Sequence, residues 1–248
     1  MIERKTADEI DLMREAGAIV AEAIELIRKE VKPGVATKYL DNVAEEYIRQ
    51  KHATPAFKGY QGFPASLCIS INEAVVHGIP DERRLEEGQI VSIDIGVKHK
   101  GFYGDAAFTV PVGEVSDEAK RLIETTRQAL AAGIEKCRAG RRLFDISHAI
   151  QELSEAAGFS VVRDYVGHGI GRAMHEDPQI PNFGPPDRGP VLEAGMVFAL
   201  EPMVNAGGYE VEVLDDKWTV VTADRSLSAH FEHTVAITPS GPLILTSL

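Results

Sequence analysis

The feature that most constrains the fold of this chain is an internal repeat. Residues 85–94 read LEEGQIVSID and residues 192–201 read LEAGMVFALE, and each copy places a carboxylate six residues after its glycine. The string VVHGIP resembles VGHGIG in the same way, and each contains a histidine. Later in each copy an acid stands at the head of a strand-like segment, as in GDAAFTVPVG and FEHTVAITPSG. A repeat that includes functional residue types as well as apolar ones is a strong signal of duplication.

The duplication predicts one domain over residues 1–248, built from halves at approximately residues 1–115 and 116–248. Each half offers a histidine and two acids in the same order, so we expect a symmetrical site where the halves meet. The chain has 248 residues, of which 44% are hydrophobic. That is enough apolar material for one large domain.

Helix and strand signals alternate in two rounds, which predicts an α+β fold. Thr6-x-x-Glu9 has the form of a capping box and precedes apolar residues at helical spacing. Strand-like strings follow each pair of predicted helices, among them SLCISI, QIVSIDIGV, MVFALEP and WTVVTA. The predicted helices run from Thr6 to before Pro33, from about Thr37 to Gln50, from the N-cap Ser116 to about Cys137, and from about Asp145 to Ala157.

Composition excludes several classes of protein. The formal net charge of −12 argues against a nucleic-acid-binding surface. The two cysteines, Cys68 and Cys137, imply no disulfide framework and favour a reducing compartment. The N-terminal stretch lacks an apolar signal core, and no run of about 18 apolar residues occurs. The sequence therefore predicts a soluble, cytoplasmic protein without a membrane partner.

Two acids lie inside strings that should be buried strands, Asp94 in QIVSIDIGV and Glu201 in MVFALEP. A buried carboxylate is costly unless it is paired or bound to a metal. For one acid alone, a nearby arginine, lysine or backbone donor explains the position equally well. Duplication of the acids favours a metal site instead. A β-hairpin around VKHKGFYG would return Asp105 beside Asp94.

The charge count fits a pair of metal ions. Four carboxylates would balance two divalent cations and leave room for a bridging hydroxide, as in two-metal hydrolytic sites. An oxygen-rich set with one imidazole favours Mn²⁺, Fe²⁺ or Co²⁺, and Zn²⁺ is a further candidate. The four acids are Asp94, Asp105, Glu201 and Glu232.

The stretch YVGHGIGRAMHEDP contains two histidines, His168 and His175, seven residues apart. Its glycines make a helix unfavourable. The zinc-protease pattern H-E-x-x-H is absent, and the dinucleotide pattern G-x-G-x-x-G is incomplete. The residues after His175 have a turn-like composition. The string by itself leaves open whether both histidines, one or neither would hold a metal.

Five strings together resemble the methionine aminopeptidases of the bacterial type (type I), over nearly the whole chain. They are NEAVVHGIP, SIDIGVKHKGFYGDAA, GHGIGRAMHEDP, ALEPMV and FEHTVAIT. The resemblance implies the pita-bread fold, in which two pseudo-two-fold αβ halves surround a curved antiparallel sheet. It also implies a single catalytic domain with a dinuclear metal site. Such an enzyme is a hydrolase that removes the initiator methionine from nascent proteins and peptides when the second residue is small.

The resemblance also implies a role for each ligand. Asp94 would chelate one ion, His168 and Glu201 would ligate the other, and Asp105 and Glu232 would bridge the two ions. Glu201 could also shuttle a proton from the attacking water to the leaving amine.

Two further histidines are implied to contact the substrate. His175 would donate a hydrogen bond to the substrate carbonyl, and His77 would contact the scissile peptide or its leaving nitrogen. A surface-loop position for His175 and a structural hydrogen bond for His77 are the alternatives. The other histidines lack a repeated partner, which predicts structural or solvent-facing positions for His52, His99, His148, His230 and His233.

An apolar pocket for the methionine side chain is predicted from FKGYQGFPASLC and the single tryptophan. Aromatic walls suit a thioether. Ordinary core packing is the alternative, and phenylalanine at two positions that are often cysteine and tyrosine in the family leaves the pocket shape open. The predicted pocket residues are Phe57, Tyr60, Phe63, Cys68 and Trp218.

Other members of the fold are less favoured. Xaa-Pro aminopeptidases usually carry an additional N-terminal domain, and the segment before the first predicted helix is too short for one. The type II enzymes carry a helical insertion, whereas only about 30 residues separate Glu201 from Glu232. A binding-only relative should have lost metal ligands, and all five are present. The resemblance further suggests a monomer and allows for proximity to the ribosome.

Overall fold

The computed structural model describes residues 2–248. Its helices are α1 (Ala7–Glu30), α2 (Thr37–Gln50), α3 (Asp117–Lys136) and α4 (Leu143–Ala156), with a short 3₁₀ turn at Tyr60–Gly62. The strands of the first part of the chain are β1 (Thr54–Pro55), β2 (Leu67–Ile71), β3 (Ala74–Val76), β4 (Ile90–His99) and β5 (Phe102–Pro111). The remaining strands are β6 (Ser160–Val161), β7 (Gly167–Gly169), β8 (Glu176–Ile180), β9 (Val197–Leu200), β10 (Met203–Asn205), β11 (Val211–Val213), β12 (Val220–Thr222), β13 (Ser228–His230), β14 (His233–Thr238) and β15 (Gly241–Ile244).

The helix predictions are confirmed, and local capping accounts for the starts of α1, α3 and α4. At α1 the Thr6 side chain accepts the Glu9 N–H, and the Glu9 carboxylate accepts the Thr6 N–H. The Ser116 hydroxyl accepts the N–H of Ala119 at the start of α3. Helix α4 begins two residues earlier than predicted, at Leu143. Asp145 is its third residue and accepts the Arg142 N–H, so its carboxylate caps the helix from inside.

Two antiparallel sheets form the centre of the fold. Strand β4 pairs with β1 and β2 on one side and with β5 on the other. Strand β9 pairs with β7 on one side and β14 on the other, and β8 and β15 lie outside them. The predicted hairpin around VKHKGFYG is confirmed as the connection between β4 and β5.

The two sheets meet where β5 runs beside β14. The Glu232 N–H donates to the carbonyl of Ala107 at 2.9 Å, and the Ala107 N–H returns to the Glu232 carbonyl at 3.4 Å. The Thr234 hydroxyl donates to the Asp105 carbonyl and accepts the Asp105 N–H. The six central strands therefore follow each other in the order β2, β4, β5, β14, β9, β7.

Helices and apolar side chains cover the central strands. The main core contains Ile27 of α1, Leu40 of α2, Ile93 of β4, Phe108 of β5 and Phe198 of β9, all buried. Helix α1 lies close against β5 at Gly104, where an added Cβ would be 2.9 Å from the backbone nitrogen of Gly17. The burial of these strands agrees with the apolar strings that predicted them.

A smaller sheet combines strands from distant parts of the sequence. Strand β12 pairs with β11 and with β3, in the order β11, β12, β3. His77 follows the last residue of β3, and Trp218 stands two residues before the start of β12. Pairing of β3 with β12 therefore brings His77 and Trp218 to the same region. No helix within residues 2–248 is long and apolar enough to cross a membrane.

Candidate metal centre

The predicted ligands form two adjacent rows across the central strands. In the first row Cys68 of β2 pairs with Asp94 of β4, and Asp94 pairs with Ala107 of β5. Ala107 exchanges backbone hydrogen bonds with Glu232. His233 pairs with Leu200, so Glu232 and Glu201 stand at the next position along the same two strands.

The second row lies two residues away from the first. Asp105 pairs with Gly96 of β4 and is hydrogen-bonded to Thr234 of β14. Thr234 pairs with Ala199 of β9, and Ala199 pairs with His168 of β7. Residues two apart on a strand share a face, so both rows direct their side chains to the same side of the sheet. Both acids were predicted to stand at the head of a strand. This is wrong for Asp105, which lies within β5, whereas Glu232 directly precedes β14.

The donor set fits a metal site. Ligand atoms of Asp105, His168 and Glu232 all lie within 4.8 Å of one another, and these residues are buried. Asp94, Asp105 and Glu232 each have one buried carboxylate oxygen without a hydrogen-bond partner. Within residues 2–248, no lysine or arginine nitrogen pairs with any of the four acids. Within the described residues no lysine or arginine therefore neutralises these acids, so bound protons or a metal cation must balance their charge.

The protein alone holds these acids in an unfavourable environment. Burial raises the pKa of Asp94 to about 7, although its hydrogen bond with Asp105 acts in the opposite direction. Burial, followed by the charge of Asp94, raises the pKa of Asp105 and of Glu201. Burial and the charge of Asp105 raise the pKa of Glu232. Clustered acids that resist ionisation without a cation are typical of a functional site.

His168 carries its lone pair on the nitrogen that faces the acids. Its Nδ1 lies 2.9 Å from the carbonyl oxygen of Gly169, which can only accept a hydrogen bond. Nδ1 therefore carries the proton, and Nε2 is left as an unprotonated donor atom for a metal. Nε2 lies 3.5 Å from a carboxylate oxygen of Glu201. Burial lowers the pKa of His168 to about 4, which keeps this ring neutral.

The glycines beside His168 serve strand packing. A Cβ on Gly167 would lie 2.6 Å from the carbonyl oxygen of Ala199, and a Cβ on Gly169 would collide with the carbonyl of Asp177. Both neighbours belong to the adjacent strands β9 and β8. The glycines thus allow β7 to lie between two strands at short distance, and His168 is carried on a strand and not on a helix.

His175 lies beside His168 but has a different hydrogen-bond partner. The two ring centroids are 4.3 Å apart. Its Nδ1 is 2.8 Å from the hydroxyl of Tyr60, and burial lowers its pKa. The prediction of a turn after His175 is wrong: residues 176–180 form β8, and the bend spans residues 171–175 and ends at the histidine. The strand is formed because Glu176 and Ile180 pair with the glycine-containing β7.

His77 lines the same cavity as His168, in a left-handed backbone conformation with φ of 60°. Its ring stands edge-on to Tyr165, with centroids 5.6 Å apart. Burial, followed by the charge of His175, lowers its pKa to about 4. Gly78 follows because a Cβ there would collide with the carbonyl of Ile69.

The aromatic residues form one wall of the same cavity. Phe63 and Trp218 meet edge-to-face with centroids 5.1 Å apart, and both pack with Cys68 and Phe57 in a small apolar cluster. The cavity has a volume of about 240 Å³. All of the predicted site residues line it: Phe57, Tyr60, Phe63, Cys68, His77, Asp94, Asp105, His168, His175, Glu201, Trp218 and Glu232.

Two residues near the site escaped the sequence prediction. Gln61 lines the cavity with a backbone φ of 49°, and the glycines on either side of the Tyr-Gln pair were the available signal. His230 was predicted to be structural or solvent-facing. It is buried, and its Nε2 lies without a hydrogen-bond partner 4.0 Å from a Glu201 oxygen. Its position two residues before Glu232 was the only signal.

The segment that carries His175 is attached to the N-terminal residues. The buried ammonium of Lys5 lies 2.6 Å from a Glu176 oxygen. The other oxygen of Glu176 accepts the backbone N–H groups of Arg172 and Ala173. Arg172 also pairs with Glu9 at 2.9 Å. These contacts connect the start of the chain to the bend that ends at His175.

Known proteins resemble this chain over nearly its whole length. Residues 11–239 match metallopeptidase family M24. The methionine aminopeptidase of Clostridium perfringens is 59% identical over 246 residues, which cover 99% of each chain. Methionine aminopeptidase 1 of Bacillus subtilis is 55% identical over the same coverage.

Solved structures agree. The methionine aminopeptidase of Thermotoga maritima has a TM-score of 0.99 at 48% identity and covers both chains fully. The prolidase of Pyrococcus furiosus has a TM-score of 0.79 at 22% identity, and this chain covers 65% of it, which shows a common fold. The expected pita-bread fold is confirmed. This chain belongs to metallopeptidase family M24 and, within that family, to the methionine aminopeptidases of the bacterial type.

Proposed function

We propose that this chain removes the N-terminal (initiator) methionine from nascent proteins and peptides when the second residue is small. The observation that carries the proposal is that the candidate metal ligands and the aromatic residues line one cavity. Metal-ligand side chains on β4, β5 and β7, and directly beside β9 and β14, face it from one side, and an aromatic wall closes another. A hydrolytic centre beside an apolar pocket suits cleavage after a single apolar side chain.

We propose two divalent ions as the cofactor, with Mn²⁺, Fe²⁺, Co²⁺ or Zn²⁺ as candidates. Asp94 would hold one ion, His168 and Glu201 the other, and Asp105 and Glu232 would be shared. The unpartnered oxygens of Asp94, Asp105 and Glu232 support this assignment. Such ions, when bound, polarise the scissile carbonyl and lower the pKa of water.

The surrounding side chains hold and move protons. As a ligand of one ion Glu201 would lie beside the attacking water, so its carboxylate could take up a proton from that water and pass it to the leaving amine. Partial desolvation lowers the pKa of His77 and of His175, which favours neutral rings, and each neutral ring has one N–H to donate to the substrate. His175 would contact the substrate carbonyl and His77 the leaving nitrogen.

The pocket supports selection of methionine. Phe57, Tyr60, Phe63, Cys68 and Trp218 would surround its side chain, and sulfur–aromatic contacts contribute roughly 0.3–1.5 kcal/mol each. The second residue of the substrate would lie beside the metal ligands, where only a small side chain fits. The Xaa-Pro enzymes are less supported, because the solved X-Pro aminopeptidase of Thermotoga maritima is 23% identical and this chain covers 62% of it.

The same proposal places the protein in the cytoplasm, as a monomer, where nascent chains emerge from the ribosome. Its substrate is then the N-terminus of a polypeptide and not a nucleic acid, which agrees with the net charge of −12.

The test is the ratio kcat/KM on Met-Ala, Leu-Ala, Pro-Ala and Met-Phe peptides, measured while each candidate metal is titrated into chelator-treated protein. We expect Met-Ala to be preferred over Leu-Ala by tens-fold, since apolar pockets separate similar side chains by about 1–3 kcal/mol. Met-Phe should be spared. Faster hydrolysis of Leu-Ala or Pro-Ala would contradict the methionine assignment, and activity without metal would contradict the metal assignment.

A further inference from the structure

We propose that Tyr60 is a positioning residue, whose hydroxyl donates a hydrogen bond to Nδ1 of His175 and thereby leaves the Nε2–H of that ring to donate into the cavity. The proposal rests on the function proposed for His175 above. It gives Tyr60 a role beyond that of a wall of the methionine pocket.

The hydrogen bond itself is short and specific. The Tyr60 oxygen lies 2.8 Å from Nδ1 of His175, and the two rings are 5.3 Å apart with an angle of 33° between their planes. A neutral imidazole has one nitrogen that donates and one that accepts. A phenol O–H is a stronger donor than an imidazole N–H, and an imidazole nitrogen is a stronger acceptor than a phenol oxygen. The favoured direction is therefore from Tyr60 to Nδ1.

The neighbouring histidine shows the opposite arrangement. Nδ1 of His168 faces the carbonyl of Gly169 and must donate, which leaves the lone pair on Nε2. Nδ1 of His175 faces a hydroxyl and accepts, which leaves the proton on Nε2. The rings are only 4.3 Å apart, so both are near the acids. The two partners thus give one ring the form that ligates a metal and the other the form that donates a hydrogen bond.

The backbone around Tyr60 holds its hydroxyl in place. Gly59 and Gln61, the residues on either side, have φ values of 86° and 49°. The Tyr60 N–H donates to the Phe57 carbonyl, and the Phe63 N–H donates to the Tyr60 carbonyl, both at 2.9 Å. This tight turn, far from His175 in sequence, fixes the position of the donor before substrate binds.

The experiment compares Tyr60→Phe with Tyr103→Phe. Tyr103 belongs to the same apolar cluster, but its ring lies beneath Lys98 and makes no contact with His175. Metal-free protein with ¹⁵N-labelled histidine rings is examined by NMR, and His175→Gln identifies the signals of His175. We expect Nε2–H and an unprotonated Nδ1 in the wild-type protein, and a mixture of both tautomers in Tyr60→Phe.

Kinetics on a Met-Ala peptide supply the second measurement. Tyr60→Phe keeps the aromatic ring, so KM should be unchanged while kcat falls by about 10–100-fold, the range found when the hydrogen-bond partner of a metal-ligating histidine is removed. Metal content should equal that of the wild-type protein, and Tyr103→Phe should behave as the wild type.

Three results would overturn the proposal: an Nδ1–H tautomer in the wild type, no change of tautomer in Tyr60→Phe, or a change in KM alone. The last result would leave Tyr60 as a wall of the pocket. A wild-type protein that binds metal but does not hydrolyse Met-Ala would contradict the proposed function instead, and the ring measurement would still decide the direction of the hydrogen bond.

Discussion

The two HGI motifs of this chain are alike in sequence but lie in different structural settings. His168 is on strand β7, between β8 and β9, and its Nε2 faces Glu201. His77 follows β3, has a left-handed backbone, and is brought to the cavity by the pairing of β3 with β12. Only His168 lies in the rows of acids. A repeated motif can thus keep its residues and change their use, because the sheet that carries the motif decides which atoms face the site.

The strongest test of this difference is removal of an acid that the two proposed metal ions would share. Asp105→Asn keeps the size of the side chain but removes one negative charge from a set with no basic partner. We expect loss of tightly bound metal and of nearly all activity on Met-Ala. Elemental analysis of the purified protein checks the metal, and retention of the wild-type metal content would contradict a shared role for Asp105.

Replacement of each motif histidine by alanine compares the two directly. His168→Ala should lose metal, because it removes a ligand. His77→Ala should keep its metal and lose turnover by about 10²–10⁴-fold, the range for a group that takes part in proton transfer. Metal content and kcat of both variants decide the matter. If His77→Ala also lost its metal, the two motifs would be equivalent and the comparison above would fail.

The pH dependence of stability sharpens the contrast between the acids and the histidines. The raised carboxylate pKa values mean that the folded, metal-free protein retains protons that the unfolded chain has lost. Their stabilising contribution is full below about pH 4 and is lost as pH rises through the folded values, about 7 for Asp94. The lowered pKa values of His77 and His168, about 4, act oppositely: their contribution is present above about pH 6.5 and is lost toward pH 4.

Above about pH 6.5 these histidines are neutral in the folded and in the unfolded protein, so only the carboxylates should still change the stability with pH. We therefore expect the melting temperature of chelator-treated protein to fall between pH 6.5 and 8.5. Metal-loaded protein should show little change, because bound metal replaces the protons. Thermal unfolding at three pH values measures both. If the rise in melting temperature on metal binding does not increase with pH, the acids are not protonated in the metal-free protein.

The smallest effect concerns the contact between the N-terminal residues and the segment that follows the second HGI motif and carries His175. Lys5→Met leaves Glu176 without its buried partner and should lower the free energy of unfolding by about 3 kcal/mol. Arg4→Met is the matched control, because Arg4 and Glu193 form an exposed pair at 2.6 Å worth about 0–1 kcal/mol. Urea denaturation of both variants gives the values. Equal losses would show that Lys5 does not hold the bend that ends at His175.

Much of the architecture could be predicted because its causes are local. The capping box at Thr6 and the Ser116 cap depend on residues three positions apart. Acids within apolar strings predicted Asp94 and Glu201, and the second matching pair of the repeat predicted Asp105 and Glu232. The predicted start of a helix was less accurate where the capping residue lies inside the helix, as with Asp145 in α4. The roles of the site residues, and the division into halves at about residue 115, stay predictions.

The sequence by itself determined which residue types this protein has for its chemistry, and roughly which strands carry them. The tertiary structure decided the register of these strands. That register places Asp105 opposite Gly96, two residues along β4 from Asp94, and so in the second row of ligands. The tertiary structure also decided that Nδ1 of His168 meets a carbonyl while Nδ1 of His175 meets Tyr60, and that His230 lies buried near Glu201. The physical reason is that a periodic pattern specifies the face of a strand, whereas register and hydrogen-bond partners depend on backbone contacts between residues that are far apart in the chain.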